Sequence, residues 1–117
     1  MESITEQIVG RLEIGKKRYG HGVIVDSDTR EWGTPKNSWI DMAVEEFLDA
    51  IIYVIADYIR QGRESQKVDE CKDHEPDDNK LIMHILKNHE KIESPKHRML
   101  VWNLINMLSC STTTFHA

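Results

Sequence analysis

Only two cysteines, Cys71 and Cys110, stand in this chain of 117 residues, and they form no Cys-x-x-Cys pair. So few thiols exclude a disulfide-stapled scaffold and fit a reducing compartment. Cations are also in short supply: 15 Lys and Arg face 20 Asp and Glu, for a formal charge of -5. That balance argues against a nucleic acid polymer or an anionic membrane surface as the main partner, since both select for clustered Lys and Arg. No apolar run reaches the ~20 residues that span a bilayer. The opening "MESITEQIVGRLEIGKKRYG" has no basic, apolar and small-residue succession of a leader. The expectation is a soluble, cytoplasmic protein whose length fits one domain over residues 1–117.

What is present is helical periodicity. Ile4, Ile8 and Leu12 recur every four residues, which predicts a helix over 3–18. "YGHGVIVDSDTREWGTPKN" then breaks the pattern with Gly20, Gly22, Gly33 and Pro35, and its "VIV" suggests a short extended piece. A loop of this length in a small domain is usually functional or disordered, and its Tyr19, His21, Arg30, Trp32 and Asn37 are not a disordered composition. Ser38 suits an N-cap for a second helix to about Arg60, with Asp41 at the third position. Residues 61–78 read as a polar connector. Asp77 or Asp78 can cap a third helix carrying Leu81, Ile85 and Ile92, and Ser94-Pro95 starts a fourth, with Leu100, Leu104 and Leu108 as its seam. Residues 110–117 read as a flexible tail. The fold class is all-α, a small bundle of about four helices with a long Gly- and Trp-containing loop between the first two.

The second helix, "WIDMAVEEFLDAIIYVIADYIR", poses the chemical question. At ~100° per residue, Glu45, Glu46, Asp49 and Asp57 share an arc of roughly 120° with Tyr53 and Arg60. Ile40, Val44, Phe47, Leu48, Ile51, Ile55 and Ile59 fill the rest, which predicts a mostly buried helix with its acids at or near the interior. Glu45 with Asp49 and Glu46 with Asp49 are one-turn pairs of like charge, each costing ~0.2–0.5 kcal/mol in water and more when desolvated. Carboxylates clustered without His or Cys favour Mg²⁺ or Mn²⁺, and Mg²⁺ commonly combines one or two carboxylates with waters and substrate phosphates. The bland alternative is a solvated helix face. Against it stand the lack of interspersed lysines and the cations Lys16, Lys17 and Arg18 just upstream, which suit either a helix C-terminus or phosphate. Cys71, His74, His84 and His89 match no zinc spacing, since His84 and His89 do not share a helical face.

Together, "RLEIGKKRYGHGV", "EWGTPKNSW" and "MAVEEFLDAIIYVIADYIR" resemble the short, phage-encoded MazG-like nucleotide pyrophosphohydrolases of the all-α NTP pyrophosphatase group, over roughly residues 8–60. The resemblance implies hydrolysis of a (deoxy)nucleoside triphosphate at the α phosphate, dependence on Mg²⁺ or Mn²⁺, and homo-oligomers, dimer or tetramer, in which two subunits complete each site. Some such phage proteins act on dGTP or GTP, which makes guanine the expected base and a host cytoplasm the expected location. Glu45, Glu46 and Asp49 match the metal-binding acidic motif, with Glu45 and Glu46 as catalytic candidates and Glu46 orienting the attacking water. Lys16, Lys17 and Arg18 would meet the phosphates, and Tyr19, Trp32 and Asn37 the rest of the substrate. The family commonly carries Glu-Glu-x-x-Glu on one helix and Glu-x-x-Asp on the next, whereas this chain shows one cluster. The further metal ligand is expected from Glu13, from Asp57 or from a neighbouring subunit, with Glu13 preferred and Glu90 and Glu93 behind it. The competing reading is a non-catalytic helical interaction module whose acidic stripe takes a basic partner.

Overall fold

A computed structural model of the chain describes residues 3–66 and 76–114, and all regular structure among them is helical. Four α-helices follow in order: α1 (Ile4–Tyr19), α2 (Trp39–Gln66), α3 (Asn79–Lys87) and α4 (Pro95–Thr114), with 3₁₀ turns at Thr29–Trp32 and His89–Lys91. The chain divides into two compact units, residues 1–38 and 39–117. None of the helices is long and apolar enough to cross a membrane.

In the first unit, α1 opens on a reciprocal cap. The Glu6 amide donates to Ser3 Oγ at 3.1 Å and the Ser3 amide to Glu6 Oε1 at 3.0 Å, satisfying two donors the helix cannot use itself. That bond to the Ser3 backbone, then the Ser3 hydroxyl, holds the Glu6 carboxyl below its usual range. The helix ends where Gly20 turns left-handed at φ 83°, its amide donating to Lys16 O at 2.9 Å. A residue with a Cβ is strained there. The expected extended piece over Val23–Val25 does not form: these residues are exposed, and the Ser27 amide closes a turn on Ile24 O at 3.0 Å. Among the described residues no strand lies beside these three apolar residues to supply a sheet ladder.

The second unit holds the core. Ile51 and Ile55 of α2, Ile92 before α4 and Val101 of α4 are buried, with Val54, Ile59, Ile82, Leu86, Leu104, Ile105 and Leu108 packed around them. Ile92, expected on α3, lies beyond the helix's end at Lys87, just after the turn His89–Lys91. Four further sequence expectations need correction. First, α2 runs on to Gln66, so residues 61–66 of the expected connector are helical. Gly62 costs a helix only about 1 kcal/mol, and Arg63 pairs with Asp78 at 3.0 Å, tying the end of α2 to the start of α3. Second, α4 continues to Thr114, taking in residues 110–114 of the expected tail.

Third, the seam of α4 is His97, Val101, Leu104, Ile105 and Leu108, while Leu100 is 41% exposed. A helix face follows three- and four-residue steps, and a strict four-residue run drifts off it. Fourth, α2 is not mostly buried, since Ile40, Leu48 and Ile52 are about half exposed in the single chain. At 28 residues, α2 is about 42 Å long, and its core contacts lie in its middle, between Ile51 and Ile59.

Candidate functional site

The acidic stripe lies on α2 as expected, but facing solvent. Glu45, Glu46 and Asp49 are exposed, which corrects the expectation of acids at the interior. No hydrogen bond or ion pair joins their side chains to another described residue. No group of three or more His, Cys, Asp or Glu able to hold a metal is brought together among the described residues. The helix does bring together pairs, Glu45 with Asp49 and Glu46 with Asp49, one turn apart. Two carboxylates completed by waters and phosphate oxygens are a set Mg²⁺ takes. Such a pair would give an ion two ligand oxygens at most from this helix.

Asp57 behaves differently. Eight residues beyond Asp49, it stands about 12 Å along the axis, too far for both carboxylates to share one ion. Its Oδ2 is engaged instead. His97 Nε2 lies 2.7 Å from it, and the Gln61 side-chain amide donates to it at 2.9 Å. A carboxylate only accepts, so the Nε2–H tautomer of His97 is the donor. On the other side of the ring, Ser94 Oγ is 2.6 Å from His97 Nδ1; in the neutral ring Nδ1 accepts and the hydroxyl donates. That same Oγ accepts the His97 amide at 3.3 Å, capping α4. His97 is 4% exposed and its ring tilts against Tyr58, centroids 5.6 Å apart. Tyr58 Oη in turn accepts the Glu93 amide at 3.3 Å.

Ser94, His97 and Asp57 have the composition of a nucleophilic triad. The hydroxyl is occupied by the helix cap, so the line works as a pin between α2 and α4. It was missed in the sequence because Asp57 and His97 are 40 positions apart and a lone histidine in an apolar helix gives no signal. A cavity of about 250 Å³ near the pin is lined by Tyr58, His84, Ile85, Asn88, Lys91 and Ile92. On the helical wheel Tyr58 falls on the opposite flank of α2 from Asp49, so a ligand in this cavity does not reach the acids.

The remaining expected residues belong to the first unit. Glu13, Lys16, Lys17, Arg18 and Tyr19 lie on the last turns of α1, the cations at the negative end of the helix dipole. Trp32 is 47% exposed. Asn37 serves the loop itself, since its Oδ1 accepts the Thr29 amide at 3.1 Å. Buried Thr29 and Thr34 share a 2.8 Å hydroxyl bond, and the Ser38 amide donates to Thr29 Oγ1 at 2.7 Å. Asp28 caps the following 3₁₀ turn and grips the Arg30 guanidinium, which lowers its carboxyl to about 2, with the Arg30 amide adding to the shift. Of the zinc set, Cys71 and His74 lie outside the described residues; His84 lines the cavity beside Tyr58, and the His89 ring donates to Leu86 O at 3.0 Å.

In comparison with known proteins, no family model matches the chain, and no curated protein or solved structure matches it.

Proposed function

We propose that the chain is a metal-dependent pyrophosphohydrolase, cleaving a (deoxy)nucleoside triphosphate at the α phosphate, with a guanine nucleotide as the preferred substrate and Mg²⁺ or Mn²⁺ as the ion. The carrying observation is the triplet Glu45, Glu46 and Asp49: three exposed carboxylates on adjoining positions of one helix, with no cation among the described residues paired to them. A bound ion would polarise the phosphoryl oxygens and lower the pKa of an attacking water. Glu45 and Asp49 supply ligand oxygens, and Glu46 orients the water and accepts its proton. Lys16, Lys17 and Arg18 of the first unit carry charge of the sign that suits phosphates. Because two acids of α2 leave the shell incomplete, the reading includes a homo-oligomer that completes it.

The test is a panel of nucleoside triphosphates with Mg²⁺ or Mn²⁺, scored for monophosphate and pyrophosphate. Hydrolysis of at least one, falling roughly 100-fold or more in Glu46→Gln, supports the reading; no turnover of any nucleotide overturns it. A second reading draws on the same exposure, since an unshielded acidic stripe with no group of three metal ligands among the described residues also suits a basic partner protein. That reading expects no turnover, together with binding that weakens as salt rises.

A further inference from the structure

Resting on the reading just given, we infer that Asp57 reads the substrate's base and selects guanine, with His97 as the residue that positions it. The acids of the proposed ion site end at Asp49. Continuing along the same flank of α2 come Tyr53 and Asp57, about 6 and 12 Å further along the axis. Ribose and base bridge such a span between an α phosphate and the Watson–Crick edge. Tyr53 is 66% exposed and has no described polar partner, so its ring face is open for a base to stack on.

The Asp57 carboxylate is fixed at one oxygen and open at the other. His97 and Gln61 both donate to Oδ2, no described residue bonds Oδ1, and half of the side chain faces solvent. The His97 ring cannot turn away, being buried and bonded to Ser94 at its other nitrogen. What faces the substrate is a pure acceptor whose orientation the fold has already fixed. Guanine alone among the common bases presents two adjacent donors, N1–H and the 2-amino group. Adenine and cytosine turn a ring acceptor to that position, and uracil flanks its one N–H with two carbonyls. A carboxylate oxygen attracts the first pattern and repels the others.

The substitution Asp57→Asn turns this into a reversal. Its amide oxygen keeps the donors of His97 and Gln61, so the NH₂ group takes the place of Oδ1 and a donor replaces an acceptor. Xanthine, with a carbonyl where guanine has its amino group, then becomes the better match. In steady-state assays with Mg²⁺, the wild type is expected to favour guanosine over inosine triphosphate. In D57N that ratio falls roughly 10- to 100-fold, the range of a hydrogen bond to a charged group, and xanthosine triphosphate gains on guanosine triphosphate. His97→Gln lowers the guanosine preference mainly through KM, at pH values where the wild-type profile is flat. Circular dichroism confirms that each variant is folded. Turnover by the wild type with base ratios unchanged in D57N overturns the role of Asp57 and leaves the enzyme standing. Absence of turnover in the wild type overturns both.

Discussion

The buried imidazole between α2 and α4 allows a quantitative test of the fold. His97→Ala removes the bonds to Asp57 and Ser94 and the ring packed on Tyr58. At about 1 kcal/mol per bond, with a further contribution from the cavity left behind, the loss is roughly 2–4 kcal/mol. Asp57→Ala leaves the buried Nε2–H without its acceptor, which costs roughly 1–3 kcal/mol. The double variant loses the shared bond only once. It should therefore be more stable than the sum of the single losses by about 1 kcal/mol, above the ~0.5 kcal/mol error of additivity. Urea denaturation followed by far-ultraviolet circular dichroism measures all four proteins. With a slope near ~1.5 kcal/mol per M, the His97→Ala midpoint drops by roughly 1.3–2.7 M. Strictly additive losses would refute the pin, as would a His97→Ala midpoint within a few tenths of a molar of wild type.

Manganese should raise the melting temperature of the wild type, by an amount that grows with concentration; at roughly a hundred times its dissociation constant the gain is about 2.7 kcal/mol. The Glu45→Gln/Glu46→Gln double variant should lose that response, and a flat wild-type titration would remove the ion from the mechanism. Asp28 gives a pH prediction of definite sign. Its carboxyl titrates at about 2 when folded, below the ordinary value, so its cap is fully present above about pH 4 and is lost as pH falls through the folded value. Carboxyl chemical shifts in an NMR titration should show Asp28 protonating last among the aspartates of the loop. Arg30→Ala should return it toward the ordinary range, and an unmoved midpoint would dissociate the shift from the guanidinium.

How much of this was legible in the sequence follows the range of the interactions. Pro95 marks the start of α4 because a helix start is a local signal, and Asp78 stands at the N-cap of α3 without a side-chain cap bond, its carboxylate being held by Arg63; the four helices follow from three- and four-residue spacing. Ser3 and Glu6 also form a local signal, Ser-x-x-Glu, that could have been read. The ends were less legible. Gln61 to Gln66 look like a connector because they are polar, yet they extend a helix whose end is held by Arg63 on Asp78. For the candidate site, the sequence places Glu45, Glu46 and Asp49 on one face because that needs only a helix. It does not reveal that Asp57 answers to His97, since that bond depends on α2 and α4 meeting across 40 positions. Nor does periodicity separate an apolar flank covered by its own chain from one left open, as Leu48 and Ile52 are.

The three tryptophans share a property with practical weight: Trp32, Trp39 and Trp102 are 47%, 40% and 56% exposed. Each is part-exposed in the folded chain, so the expected shift in emission when the core around Ile55 and Val101 melts is smaller than for a buried indole. The same fluorophores become sensitive reporters of anything that settles on them. A blue shift on concentrating the protein, or on adding a ligand, registers coverage of the helices rather than their folding, and it needs no label.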